Sequence, residues 1–351
     1  MSKFLNDKYQ KLQAYTPGEQ PQDMEYLKLN TNESPFPPSP KVLDAINSQQ
    51  ASLLRLYSDP ECKALRTALA KLYDVDIENV YLSNGSDDIL NFAFMAFADK
   101  EVSFPEISYG FYKVFADLYG LKANTKELKP DFSIQASDYY NQEDLVVIAN
   151  PNAPTGVTLS LDEIEEILKT NPNNVVVIDE AYVDFGADSA VPLTKKYPNL
   201  LVVQTFSKSR SMAGARLGFA IADKQLIDDL NRIKYSTNPY NVNRLTLVAG
   251  EAAVNENDYY VANCRSIIEA RDYTTKAIEE LGFYVVPSKA NFIFAKCDKI
   301  DGKELYDKLK ERGILVRHFT TDKIKEYNRI TIGTLEQMKK FVSVVNDILE
   351  E

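Results

Sequence analysis

The stretch Leu200-Leu201-Val202-Val203-Gln204-Thr205-Phe206-Ser207-Lys208-Ser209-Arg210-Ser211-Met212-Ala213-Gly214-Ala215-Arg216 joins two unlike halves. Its first four residues are apolar on both faces of an extended chain, the pattern of a strand covered on each side by helices. The rest is crowded with hydroxyls, a lysine and two arginines. Two other runs behave the same way. Leu145-Val146-Val147-Ile148-Ala149 exits into Asn150-Pro151-Asn152-Ala153-Pro154-Thr155-Gly156, and Val175-Val176-Val177-Ile178 exits into Asp179-Glu180-Ala181-Tyr182. Val80-Tyr81-Leu82-Ser83 reads as a shorter strand feeding a helix from Ser86 to Phe97, and Leu161 to Lys169 supplies a crossover helix. This alternation predicts an α/β doubly wound domain with a mostly parallel central sheet flanked by helices. Ligands of such sheets bind outside the carboxyl ends of the strands. One rim should therefore gather a carboxylate, a phenol, amides, a lysine and an arginine.

The remainder of the chain has a different pattern. From about Asp258 to Leu281 runs one long amphipathic helix, a candidate spine between domains. Strands follow at Phe283 to Val286 and Asn291 to Ala295, then a helix from Asp301 to Arg312. Further strands at Ile314 to Arg317 and Arg329 to Ile332 precede a terminal helix beginning at Thr334. The expected organisation is a large domain over residues 29–250. A smaller α+β domain would combine residues 1–28 with 251–351, the polar N-terminal segment packing onto the smaller unit or over the cleft. A length of 351 residues suits two such units.

Composition removes several function classes. Lysine and arginine number 40 against 51 acidic residues, for a net charge of −11, and no basic run concentrates the positive charge. Nucleic acid is thereby disfavoured as a partner. The apolar fraction is 44 %, and no apolar run approaches the roughly 18 residues of a membrane span. The start, Met1-Ser2-Lys3-Phe4-Leu5-Asn6-Asp7-Lys8, lacks the apolar core of a secretion signal, so the expected location is the cytoplasm. Cys62, Cys264 and Cys297 are far apart and odd in number. They read as reduced, small apolar residues rather than a disulfide framework or a metal site. The single histidine, His318, excludes a histidine-rich zinc site, and no metal is expected.

Taken singly, the rim residues have ordinary explanations. Asp179 could cap the segment after its strand, Lys208 could be a solvated surface lysine, and the Asn and Pro residues of 150–156 could simply form turns. Their spacing together is more particular. Thr205 to Gly214 resembles the lysine signature of class II aminotransferases, and Asp179-Glu180-Ala181-Tyr182 precedes it as in the fold-type I pyridoxal-phosphate-dependent transferases. More closely, the chain resembles the histidinol-phosphate aminotransferases. The similarity is carried in order by Leu29-Asn30-Thr31-Asn32-Glu33-Ser34-Pro35, Arg55-Leu56-Tyr57-Ser58-Asp59-Pro60, Asn84-Gly85-Ser86-Asp87-Asp88, Asn150 to Gly156, and Arg329-Ile330-Thr331-Ile332-Gly333-Thr334.

The resemblance implies a pyridoxal 5'-phosphate enzyme in which Lys208 carries the cofactor as a Schiff base. Asp179 would hold the pyridine nitrogen, and Tyr182 and Asn152 the ring 3-oxygen. Gly85, Ser86 and Asp87 open a helix whose free amides and dipole suit a phosphate, with Ser207 and Arg216 as further phosphate ligands. Tyr109 would stack on the ring. Tyr57 would reach the neighbouring subunit's phosphate, which implies a homodimer with shared sites. Tyr15, Asn32, Arg317 and Arg329 would face the substrate, the guanidinium forks suiting phosphate or carboxylate. Alanine at 153, where the family commonly has asparagine, leaves Asn152 as the substitute for the missing amide. His318 should be a structural or rim residue, since strand alternation turns it from the Arg317 side. The implied activity is ping-pong transamination between L-histidinol phosphate and 2-oxoglutarate, giving imidazole-acetol phosphate and glutamate in L-histidine biosynthesis. The alternatives on the same scaffold are an aromatic or broad-specificity amino-acid aminotransferase and a threonine-phosphate decarboxylase.

Overall fold

A computed structural model describes residues 2–10 and 12–351; Met1 and Lys11, within the N-terminal segment 1–28, lie outside the described residues. A seven-stranded sheet runs in the spatial order Val80–Ser83, Gly218–Ala222, Leu200–Thr205, Val176–Asp179, Leu145–Ala149, Glu101–Pro105, Lys122–Lys126. Gly218–Ala222 is antiparallel to both neighbours, and every other pairing is parallel. The sheet is thus the mostly parallel α/β sheet flanked by helices that the sequence predicts.

Alternation along each strand builds two cores. Val146, Ile148, Val176, Ile178, Leu200 and Val202 pack on one face, while Leu145, Val147, Val177, Leu201 and Val203 pack on the other. Successive side chains of a strand point to opposite faces, so a run apolar at every position needs a layer on each side. The crossover helix Leu161–Thr170 is opened by a capping box, Ser160 against Glu163, and Thr334 with Gln337 opens the terminal helix Leu335–Glu350 in the same way.

A four-stranded antiparallel sheet, in the order Arg317–His318, Asn328–Thr331, Phe292–Cys297, Phe283–Val286, forms the second layer system. Its core also takes in Leu29, Ala153 and Tyr182. The long helix, Asn257–Glu280, contributes to it through Cys264, Ile267, Ala270 and Ile278. The expected single strand Ile314 to Arg317 is two short strands. Ile314–Leu315 pairs in parallel with Leu27–Lys28, whereas Arg317–His318 joins the four-stranded sheet. The N-terminal segment is thereby stitched to the C-terminal unit. Cys62, Cys264 and Cys297 are free and buried.

Three strands of the large sheet escaped the sequence reading. Glu101–Pro105 and Lys122–Lys126 sit toward one edge, and the latter is polar and half exposed. Gly218–Ala222 is buried throughout and returns antiparallel, so its first residue reaches the same rim where its neighbours end. Ser83 and Thr205 both pair with Gly218. A Cβ on Gly218 would lie 2.4 Å from the Ser86 amide nitrogen and 2.5 Å from the Gly85 carbonyl carbon. Both are backbone atoms and cannot rotate away. Gly218→Ala should therefore push back the Gly85–Ser86 turn, lowering stability by about 2 kcal/mol. A thermal melt beside the wild type measures this, and an unchanged Tm would show that the turn yields freely.

Candidate active site

Parallel pairing brings the exits together. Ala149 is level with Asp179, and Asp179 with Val203, so the Asn150, Glu180 and Gln204 ends open on one rim. Asp179 is 4 % exposed. Tyr112 donates its hydroxyl to Asp179 Oδ2 at 2.7 Å, and the Ala181 amide donates to Oδ1 at 3.2 Å. Burial dominates these bonds and raises the carboxyl to about 6. Lys208 Nζ donates to the Thr31 carbonyl at 3.1 Å and lies 5.6 Å from the centre of the Tyr182 ring. The Tyr182 hydroxyl accepts from Asn32 Nδ2 at 2.9 Å.

Two hollows meet at this lysine. A cavity of about 200 Å³ is lined by Ser86, Asp87, Asp179, Ser207 and Arg216, and a cleft of about 800 Å³ by Tyr15, Asn32, Arg317 and Arg329. Tyr109, Ala153, Tyr182 and Lys208 line both. At the far end of the cavity the helix Ser86–Phe97 begins after Gly85, which sits at φ 88° and brings no capping side chain. Uncapped first-turn amides and the helix dipole make such an end an anion site. Arg216 Nη1 donates to Ser207 Oγ at 3.4 Å, and Nη2 to Asp87 Oδ2 at 3.1 Å. Asp87 also accepts the Tyr109 hydroxyl at 2.7 Å. Burial and the Asp87 charge together hold the Tyr109 phenol far above its ordinary range. Asp87 therefore anchors Arg216 and Tyr109 by its side chain.

In the cleft, Arg317 and Arg329 are direct partners across adjacent strands. Like charges opposite each other destabilise a sheet unless something neutralises them. Among the described residues, no carboxylate lies within ion-pair distance of either. Arg329 Nη2 donates to the Asn30 carbonyl at 2.9 Å and its buried Nε has no partner. Arg317 donates to the Pro17 and Thr16 carbonyls, at 3.4 Å each. Tyr15 stacks on Phe111 with ring centres 4.3 Å apart, which places the N-terminal segment at the cleft wall.

Asn152 does something other than the sequence reading expects. Its Nδ2 donates to the Ile107 carbonyl and Thr155 Oγ1, each at 2.9 Å, and its Oδ1 accepts from Ser108 at 2.7 Å. Fully buried and fully bonded, it braces the 150–156 loop and lines neither hollow. The amide that faces the Tyr182 hydroxyl belongs to Asn32 instead. Tyr57 is 78 % exposed, stacks on Tyr240, and lines neither hollow of its own chain. His318 also lines neither; it is half buried, and burial lowers its pKa. The sequence reading missed Tyr112, Thr31 and Gly218. Tyr112 carried one available signal, a tyrosine on the buried side of an amphipathic helix, where a hydroxyl needs a partner.

A lysine, a buried carboxylate, a phenol and an anion-ready helix end on one parallel-sheet rim define a cofactor-dependent group-transfer site. The family model of class I and II aminotransferases matches residues 24–345. The chain belongs to that family, among its histidinol-phosphate aminotransferases. It is 50 % identical to the histidinol-phosphate aminotransferase of Brachyspira hyodysenteriae, with all of both chains covered. The histidinol-phosphate aminotransferase structure from Clostridium acetobutylicum superposes with a TM-score of 0.85 at 23 % identity, covering 92 % of this chain and 99 % of that one. L-threonine-O-3-phosphate decarboxylase from Porphyromonas gingivalis does so with 0.82, also at 23 % identity, covering 92 % and 99 %. These two structures share the fold.

The Asp179 carboxyl yields a test independent of turnover. Its folded value of about 6 exceeds the ordinary 3.8. The folded chain thus binds a proton more tightly than the unfolded one. The associated stability is full below about pH 4 and is lost as pH rises through about 6, a difference worth about 3 kcal/mol. In protein stripped of small molecules, Asp179→Asn should flatten stability against pH between 4 and 6 and raise it at pH 7. Urea unfolding at several pH values checks this; parallel profiles would refute the assignment.

Proposed function

We propose that this chain is a pyridoxal 5'-phosphate-dependent histidinol-phosphate aminotransferase. It would move an amino group reversibly from L-histidinol phosphate to 2-oxoglutarate, leaving imidazole-acetol phosphate and glutamate. The single observation that carries the reading is the position of Lys208, at the mouth between a cofactor-sized cavity and a cationic cleft.

The cavity's donor set fits the cofactor. The Ser86 end of the helix, Ser207 and Arg216 suit its phosphate. Asp179 suits the pyridine nitrogen and Tyr182 the ring oxygen, with Tyr109 beside the ring. When bound, the cofactor supplies an aldehyde and an electron-withdrawing ring that drains charge from the substrate carbon bearing the amine. Asp179 keeps the ring nitrogen cationic; a charge pair at about 4 Å and effective dielectric near 20 is worth about 4 kcal/mol before desolvation. Lys208 Nζ takes the proton from the substrate carbon as a general base, from its place at the mouth between the two hollows. Arg317 and Arg329 bind the anionic end of either substrate, the phosphate of one and the distal carboxylate of the other.

The proposed organisation is a large domain over 29–250 and a smaller one over 1–28 with 251–351, in a cytoplasmic homodimer. Leu43, Ile46, Leu54, Leu56 and Tyr57 are exposed between residues 43 and 57, an apolar concentration that a second copy would cover. Tyr57 would then meet the partner's cofactor phosphate. No helix among the described residues is long and apolar enough to cross a membrane.

Purified protein should show a visible absorption band that fades on adding L-histidinol phosphate and persists with phenylalanine or O-phosphothreonine. Lys208→Ala should abolish both band and turnover. Fading with phenylalanine alone would favour the broad-specificity reading, and carbon dioxide release from O-phosphothreonine the decarboxylase. Arg329→Ala should raise KM for L-histidinol phosphate about thirtyfold, since a charged hydrogen bond is worth roughly 2 kcal/mol; an unchanged KM would remove Arg329 from the substrate site. Sedimentation should give a dimer, and Tyr57→Phe should weaken cofactor retention about tenfold on the same scale. A fully active monomer would exclude shared sites.

A further inference from the structure

Behind the catalytic loop lies a third hollow, of about 300 Å³, which shares no lining residue with the cavity or the cleft. It is bordered by Ser209 and Arg210, next along the chain from Lys208, by Val183 and Asp184, next from Tyr182, and by the start of the long helix at Tyr260 and Cys264. Arg210 is 6 % exposed, and its Nη1 is buried without a partner. Among the described residues no carboxylate lies within ion-pair distance of it. The neighbouring polar groups are occupied with one another. The Tyr73 hydroxyl is within hydrogen-bond reach of the guanidinium and itself donates to Gln204 Oε1 at 2.7 Å, which leaves Nη1 as the unmet part of Arg210. Gln204 Nε2 donates to Glu180 at 2.8 Å, and Ser209 donates to Asp184. The guanidinium lies 5.5 Å from the centre of the Tyr260 ring. That contact is worth about 1 kcal/mol and satisfies no N–H. A buried guanidinium without a counter-ion costs several kcal/mol, so the chain maintains an unmet demand for an anion beside an open volume.

We propose that this hollow is a second ligand site, which takes a small organic monocarboxylate. The carboxylate would accept from Arg210 Nη1, the guanidinium nitrogen left without a partner. Val183, Val261, Cys264 and Ile268 would enclose a short apolar body. Asp184 and Arg265, both exposed on its walls, offset each other, which leaves the single Arg210 charge to be matched and suits a singly charged anion over phosphate. Occupancy would brace the Ser207–Arg210 turn directly behind the catalytic lysine.

The test uses holoenzyme and 3-methylbutanoate as probe, with 3-methylbutanamide and inorganic phosphate as controls, read by calorimetric titration and thermal shift. The carboxylate should bind and raise Tm, and the amide and phosphate should not do so through this site. Binding should persist in the Arg317→Ala, Arg329→Ala double variant, which separates it from the substrate cleft and from the proposed transaminase reading. It should weaken about tenfold or more in Arg210→Met, and also in Val261→Trp, which fills the exposed rim should the first variant fold poorly. Equal binding in Arg210→Met and Val261→Trp, loss in the double variant, or no binding in wild type would each overturn the proposal.

Discussion

A carboxylate buried at the end of a β-strand is costly, and the surrounding structure is arranged around Asp179. The strand carrying it is central in the sheet and apolar on both faces, so the acid only edges the cavity and little water reaches it. Tyr112 and the Ala181 amide offset part of that desolvation, yet the carboxyl remains poised near 6. The cost is retained because a cationic ring nitrogen would repay it in the working enzyme. Such a partner stabilises the ionised acid in a place where water is scarce.

The cationic side of the site follows the same logic with the sign reversed. Arg317 and Arg329 face each other across two strands with no acid between them among the described residues, and burial pushes the Arg329 pKa down. Arg329 is held by the Asn30 carbonyl and Arg317 by the carbonyls of Thr16 and Pro17. Neutral acceptors position a guanidinium without spending its charge, so the pair keeps its charge for an anion. Lys208 is treated alike, resting on the Thr31 carbonyl rather than on a carboxylate. One N-terminal stretch, from Thr16 to Thr31, thus holds three cations through backbone oxygens. Asn32 then follows, with its amide on Tyr182 and its own backbone at φ 58°. Such a left-handed conformation costs a residue other than glycine about 1 kcal/mol, and it persists where the surroundings demand it.

Much of this was legible in the sequence. Lys208, Asp179 and Tyr182 could be placed on one rim because parallel strands announce themselves as short runs apolar at every position, and their exits must share a rim; the family resemblance supplied their roles and added the Gly85–Ser86 turn. The sheet's mostly parallel direction, its two covered faces and the crossover helix from Leu161 follow from local pattern. The polar edge strand Lys122–Lys126 could not be read this way. Half of it faces solvent, so it has no apolar run to betray it.

The amino-acid order determined which residue types would be at the rim, since strand propensity and turn chemistry act over a few residues. Only tertiary structure decided which of them touch. The sequence points to Asn152 for the ring 3-oxygen beside Tyr182 and to Asn32 for the substrate; packing consumed the first amide in its own loop and brought the second to the Tyr182 hydroxyl from a segment far away in the chain. Tyr112 reaching Asp179, and Gly218 lying against the Ser86 amide, likewise depend on strands brought together across long loops. Contacts of that kind are selected by the close packing of whole layers, a constraint that no short window of residues contains.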